Sequence, residues 1–139
     1  MIFIDTDLAI SFLSKVEKPA NKQAKDVMKQ LFSTHQVLNL TIFNYAELLR
    51  GAYLSSNVAY NTRIVQEFTR HFRVINLSEK AVELYSMIYA ELKLKGESIG
   101  DMDELIASIV IANDGILYTK NLEHFERINL IKLEDWSER

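Results

Sequence analysis

The chain contains no cysteine, which removes disulfides, thiolate metal sites and cysteine nucleophiles from consideration. That absence agrees with a reducing cytosol, and a cytoplasmic location is expected. One proline and four glycines in 139 residues are too few to punctuate long loops, and no linker, repeat or low-complexity tract interrupts the pattern. No apolar run is long enough to span a bilayer, and the start lacks a basic segment followed by a hydrophobic one, so no membrane partner is expected. Excess basic charge is also missing: 16 Lys and Arg against 19 Asp and Glu give a formal net charge of −3. General nucleic-acid binders usually carry a strongly basic domain or face. A carboxylate-lined metal site, however, makes a chain acidic by formula while its bound cation reverses the local sign. What is abundant is hydrophobic content, at 48%, enough for a single domain over residues 1–139 with its own core.

The chain is organised around its opening, Met1-Ile2-Phe3-Ile4-Asp5-Thr6-Asp7. A short apolar run of this kind reads as a strand buried on both faces, as in a parallel sheet. The turn after such a strand is where α/β proteins place ligands, so Asp5 stands at a site position; a cap on the next helix is the plainer role. Leu8, Ile10, Phe12 and Leu13 predict a short helix, and Pro19 opens a second with Ala20, Ala24, Val27, Met28 and Leu31 inward. Lys22, Lys25 and Lys29 on its other face read as a solvated stripe. Val37–Leu40 predicts the second strand, with Thr41 capping a helix whose Ile42, Tyr45, Ala46 and Leu49 face inward. A helix through Ile64, Val65, Phe68 and Phe72 leads to a third strand over Phe72–Leu77. Ser78 opens a long helix that buries Ala81, Leu84, Tyr85, Ile88, Tyr89 and Leu92 and closes at Gly96. Asp101 and Glu104 have capping-box spacing before Leu105, Ile106, Ile109, Val110 and Ala112. Strands at Ile116–Thr119 and Leu130–Leu133 flank a short helix over Asn121–Arg127. Strands alternating with helices predict a three-layer α/β domain with a central, mostly parallel five-stranded sheet.

The acids fall where such a fold converges. Asp5 follows strand one, Glu47 lies in the helix after strand two, Asp101 and Asp103 open the helix before strand four, and Asn121 follows strand four. In a parallel sheet these ends share one edge. Hard oxygen donors without cysteine suit Mg²⁺ or Mn²⁺ over zinc. Two carboxylates about 4 Å apart repel by roughly 4 kcal/mol at an effective dielectric of about 20, which a divalent ion relieves. Such an ion also lowers the pKa of a bound water and stabilises phosphate oxygens, the chemistry of phosphodiester hydrolysis. Each acid has a plainer role as well. Asp101 has the spacing of a helix cap, Asp103 gains from the helix dipole, and Glu47 can pair with Arg50.

Phe3-Ile4-Asp5-Thr6-Asp7, Asn44-Tyr45-Ala46-Glu47-Leu48 and Ile99-Gly100-Asp101-Met102-Asp103-Glu104-Leu105-Ile106-Ala107-Ser108 resemble the motifs of PIN-domain ribonucleases, in the same order and spacing. So do Leu117-Tyr118-Thr119-Lys120-Asn121, Phe125-Glu126-Arg127-Ile128 and Asp135-Trp136, and within that superfamily the chain is most similar to the VapC toxins of toxin–antitoxin modules. The resemblance implies a Mg²⁺- or Mn²⁺-dependent endoribonuclease, usually a homodimer, inhibited by a VapB-type antitoxin. It implies Asp5, Glu47 and Asp103 as core acids, with Asp5 and Asp103 as metal ligands and Asp103 favoured over Asp101. Asn121 would orient water or a ligand, and Thr6 and Thr119 would support the carboxylates. Asp7 departs from the Asn usual in relatives, adding charge beside Asp5, and His124 stands where an acid is common.

Substrate would be single-stranded or loop RNA, whose unstacked backbone is accessible. Arg50, Arg63, Arg70 and Lys93 are candidate phosphate contacts, and an antitoxin is expected to insert a basic side chain among the acids. Three other readings compete. Asp5-Thr6-Asp7 is similar to the opening of haloacid-dehalogenase-type phosphatases, but position 9 is Ala where Thr or Val is wanted, and no suitable phosphate-binding lysine precedes the later acids. A response-regulator receiver needs an Asp after strand three, where Leu77-Ser78 stands. The last is a PIN-like module that binds RNA or protein without cutting.

Overall fold

The computed structural model describes residues 1–34 and 37–138, the side chain of Glu138 excepted. Its five strands are β1 (Ile2–Ile4), β2 (Leu38–Thr41), β3 (Arg73–Ile75), β4 (Ile116–Thr119) and β5 (Lys132–Asp135). The helices are α1 (Thr6–Leu13), α2 (Pro19–Ser33), α3 (Ile42–Tyr53), α4 (Val58–Thr69), α5 (Glu79–Lys95), α6 (Asp101–Ala112) and α7 (Leu122–Phe125), followed by a 3-10 turn at Trp136–Glu138. The sheet order is β3-β2-β1-β4-β5 and every pairing is parallel. A receiver domain has the order 2-1-3-4-5, so topology removes that alternative.

Strand alternation sends successive side chains to opposite faces, and here it divides the core in two. Phe3 and Leu117 pack with Ile106, Ile109, Val110 and Phe125 under α5, α6 and α7. Ile4, Leu38, Leu40 and Tyr118 pack with residues of α1 to α4 and with the fully buried Trp136. Both layers bury the central strand, which explains why Ile2-Phe3-Ile4 is continuously apolar. The three-layer expectation holds, with a wholly parallel sheet.

Ser78 caps α5 as expected, accepting from Ala81 N at 3.1 Å, and Gly96 ends that helix at φ 68°. Several boundaries differ. β3 is confined to Arg73–Ile75 because Phe72 turns into an aromatic cluster with Phe68 and Phe32. β5 begins at Lys132, pairing with Ile116, while Leu130 is exposed before the strand starts. α7 is only four residues long. On α3 the buried positions are Asn44, Leu48 and Ala52, with Ala46 exposed and Tyr45 and Leu49 only half-buried. The helix is apolar nearly all round, so pattern alone misplaced its inner face by about one residue. On α5, Tyr89 lies near the surface instead of inside. At α6 the cap position belongs to Gly100, with φ 101°, and Asp101 is the first helical residue. Glu104 still reaches back, accepting from Ile99 N at 3.2 Å.

Gly115 follows α6 closely enough that its N–H donates to Val110 O at 2.9 Å. A Cβ there would lie 2.6 Å from two ring carbons of Phe3, which is fully buried and held by the sheet. Gly115→Ala should therefore lower unfolding free energy by about 1–3 kcal/mol. Urea denaturation checks this, and a cost below about 0.5 kcal/mol would show that the Phe3 ring yields freely.

Candidate active site

A 3-2-1-4-5 sheet reverses its winding between β1 and β4, and the crevice outside the strand ends at that switch point is where open α/β sheets bind ligands. β1 ends there with Asp5, and β4 ends there with Thr119, Lys120 and Asn121. α3 and α6 bring Glu47 and Asp103 to the same place. Asp5, Glu47, Asp103 and Asn121 line one cavity of about 580 Å³ with Thr6, Asp7, Ile10 and Lys120. Four of the expected core residues thus converge from four parts of the chain.

Asp5 is 6% exposed, and both of its oxygens accept hydrogen bonds. Its Oδ1 accepts from Thr6 N at 2.9 Å and from Asn44 Nδ2 at 3.1 Å. Its Oδ2 accepts from the Thr119 hydroxyl at 2.7 Å. The Thr6 hydroxyl donates to Glu47 Oε1 at 2.6 Å, so each threonine hydroxyl is hydrogen-bonded to a carboxylate of the cavity. Asp7 is used as a clamp. Its Oδ2 faces the Thr119 hydroxyl at 3.1 Å and accepts from Lys120 N at 3.0 Å, and its Oδ1 accepts from the buried Trp136 indole at 2.9 Å. His124 Nδ1 lies 3.2 Å from Asn121 Nδ2 and 3.4 Å from Asp103 Oδ2. An imidazole therefore stands beside both Asp103 and Asn121.

The electrostatics follow from this crowding. Burial, reinforced by the charge of Asp7, pushes the Asp5 carboxyl up to about 7 despite the opposing Thr119 and Thr6 hydrogen bonds. Burial also raises Glu47, with Asp103 adding repulsion and Thr6 and Arg50 opposing. Asp103 is raised by burial and partly offset by His124. The nearby cations, Lys120 on the cavity wall and Arg50 at 3.5 Å from Glu47 Oε2, leave these acids under-compensated.

Other expected site residues lie elsewhere. Asp101 is outside the cavity lining, and its Oδ1 accepts from Tyr85 OH at 2.7 Å, a hydrogen bond that pushes the phenol up to about 12. It is neither the α6 cap nor a neighbour of Asp5, because Asp101 and Asp103 are both helical and two residues apart. Arg63 sits 5.9 Å over the Tyr60 ring, and Tyr60 lines a separate, larger cleft with Lys15, Lys18, Lys22 and Lys25. Arg70 closes α4 just before β3, and Lys93 is in the last turn of α5. Arg70 therefore lies at the N-terminal edge of the strands, away from the acids, and neither Arg70 nor Lys93 lines the cavity. Three residues that reasoning from sequence left out matter here: Asn44, Lys120 and Trp136. The strand-end position of Lys120 was a usable signal. Asn44 is buried inside an apolar helix face, and Trp136 reaches Asp7 from 129 residues away, so neither had a local pattern to reveal it.

The donor set fits a hard divalent cation, being carboxylate oxygens that are repelled and desolvated without one. Among the described residues no three acidic, histidine or cysteine side chains converge into a ready chelate.

The family model described as PIN domain matches residues 2–130, and the chain belongs to the PIN-domain family. Its relatives narrow this further. Ribonuclease VapC2 of Rickettsia felis is 32% identical over 77% of this chain and 80% of that protein. The tRNA(fMet)-specific endonuclease VapC of Salmonella typhimurium is 34% identical over 65% of this chain and 68% of that one. Among solved structures, VapBC2 from Rickettsia felis bound to a DNA fragment from their promoter superposes with a TM-score of 0.85 at 28% identity, covering 98% of this chain and 99% of that one.

The raised Asp5 carboxyl has a consequence for pH. Between its ordinary 3.8 and about 7, the folded state binds a proton that the unfolded state has lost. Stability is thus fully present below about pH 4 and falls as pH rises toward and through 7, by an amount on the order of 4 kcal/mol for this group. Glu47 and Asp103 act in the same direction. Melting in EDTA should show Tm falling from pH 5 to pH 8, with a shallower slope for Asp5→Asn. Equal slopes would contradict the assignment of the strain to Asp5.

Proposed function

We propose that this chain is a Mg²⁺- or Mn²⁺-dependent endoribonuclease of the VapC toxin type, acting in the cytoplasm and held in check by a VapB-type antitoxin. The observation that carries the reading is the set of under-compensated carboxylates, Asp5, Glu47 and Asp103, around one open cavity at the sheet's switch point. The ribonuclease and endonuclease names of the relatives support the same chemistry. The VapBC2 structure supports an antitoxin as partner. A homodimer is the proposed assembly, from resemblance to the family.

Asp5 and Asp103 would hold the cation, with Glu47 close by; when bound it supplies charge for the phosphate oxygens and acidifies a water. The remaining work belongs to the chain. Thr6 and Thr119 fix the orientation of Glu47 and Asp5 through their hydroxyls. The Asn121 side chain, on the cavity wall beside His124, has an amide able to orient water or a ligand. Asp7 holds Lys120 N and the C-terminal turn in place, so the end of β4 keeps its position. Lys120 and Arg50 are the cations best placed to meet RNA phosphate. Single-stranded or loop RNA is the proposed substrate, because its backbone can enter an open cavity without unpairing. An antitoxin side chain carrying positive charge would occupy the same acids and block substrate.

A pool of mixed RNA incubated with antitoxin-free protein tests the function. Cleavage should require Mg²⁺ or Mn²⁺, stop in EDTA, and fall by about 100-fold or more in Glu47→Gln and in Asp103→Asn. Metal-dependent cleavage that persisted in both variants would show that the reaction is centred elsewhere.

A further inference from the structure

Asn44 is fully buried on α3 and does not line the cavity, yet its amide touches the acids from behind. The hydrogens in this network can be assigned by counting. The Thr41 hydroxyl caps α3 by accepting from Asn44 N at 3.1 Å, and its own proton points to Asn44 Oδ1 at 2.7 Å. That contact fixes which way the amide faces. Asn44 Nδ2 then supplies one hydrogen to Asp5 Oδ1 at 3.1 Å and one to Thr6 Oγ1 at 3.0 Å. Having accepted there, Thr6 spends its proton on Glu47 Oε1 at 2.6 Å. The chain of donors runs in one direction, from a helix cap to two carboxylates, with every member satisfied.

We infer that Asn44, oriented by Thr41, is a positioning residue that sets which oxygens of Asp5 and Glu47 the site presents. The inference rests on the nuclease reading above. Asp5 Oδ1 accepts twice, from Thr6 N and Asn44 Nδ2, and so has no lone pair to spare. Oδ2 accepts once, from Thr119, and keeps one lone pair. Asp5 would therefore offer a cation Oδ2 in preference to Oδ1. Glu47 Oε1 is held by the Thr6 hydroxyl at 2.6 Å, while Oε2 meets only the exposed Arg50 guanidinium at 3.5 Å and is the freer oxygen. A reversed Asn44 amide would place Oδ1 against the Asp5 carboxylate, so losing the Thr41 hydroxyl releases the orientation even when the amide itself remains.

The test combines Asn44→Ala, Thr41→Val and Thr41→Ser with two readouts. These are RNA cleavage kinetics and calorimetric Mn²⁺ binding to the metal-free protein, both at a temperature where circular dichroism shows each variant folded. Support losses around metal ligands commonly cost about 10–100-fold. Asn44→Ala should lower kcat by about that factor and weaken Mn²⁺ binding about 10-fold, with KM for RNA within about threefold of wild type. Thr41→Val should lower kcat about 10-fold, and Thr41→Ser, which keeps the hydroxyl, should recover most of it. If Asn44→Ala does not fold, the Thr41 pair decides alone. Loss of thermal stability with kcat and Mn²⁺ affinity intact would make the network merely structural and overturn the inference, as would equal kcat in Thr41→Val and Thr41→Ser. Wild-type protein that neither cuts RNA nor binds Mn²⁺ would instead remove the function, and this inference with it.

Discussion

The structure depends on a carboxylate that is almost wholly buried although it borders an open cavity. Asp5 ends the central strand at 6% exposure, flanked by Asp7 and facing Asp103 across the cavity. Burial of such a group is tolerable only if its oxygens are hydrogen-bonded and its charge is neutralised by a proton or a cation. Thr6, Asn44 and Thr119 meet the first condition, and each comes from a different segment of the fold. Without a cation the second condition favours a proton, since burial and Asp7 push the Asp5 carboxyl up to about 7, and stability falls as pH rises through that range. Site and fold are therefore the same construction: the parallel sheet that brings the ends of β1 and β4 together with α3 and α6 also creates the repulsion that a bound cation would relieve.

Asp7 shows how a departure from family expectation is absorbed. A second acid two residues from Asp5 worsens the local repulsion, and it is among the causes that raise the Asp5 carboxyl. The same side chain accepts from the Trp136 indole and from Lys120 N. It ties the last turn and the end of β4 to the start of α1. The indole is an obligate donor, which a carboxylate satisfies well in a half-buried setting. Here the charge beside the site has a structural use.

Much of this was legible in the sequence, and the reason is physical. Ile2-Phe3-Ile4 can be continuously apolar only if both faces are covered, and that single fact implied a parallel sheet and placed Asp5 at its edge. Ser78 and Gly96 marked α5 because cap chemistry is local. Elements whose limits are set by packing were misplaced: β5 by two residues, β3 by its aromatic neighbours, α3 by the rotation of its inner face. The site divided in the same way. Asp5, Glu47, Asp103 and Asn121 share a cavity, because the strand ends and the helices beside them meet at one edge of the sheet. Asp101 could not be excluded by spacing alone, and only the helical start at Asp101, with the Tyr85 hydroxyl beside it, takes it out of the group. Asn44 stood in a family-like motif but received no role, because a buried asparagine on an apolar helix has no periodic signature; its meaning lies in partners 38 and 39 residues away.

The central claim is that these acids are strained until a divalent ion joins them. The most direct measurement is the melting temperature at pH 8 of wild type and Asp5→Asn, each in EDTA and in saturating Mn²⁺. A ligand at about 100 times its Kd stabilises the folded state by about 2.7 kcal/mol, which for a chain of this size is a rise of several degrees. The account predicts that rise in wild type, little or none in Asp5→Asn, and a higher starting Tm for the variant in EDTA. Equal Mn²⁺ stabilisation of both proteins, or none in either, would contradict it.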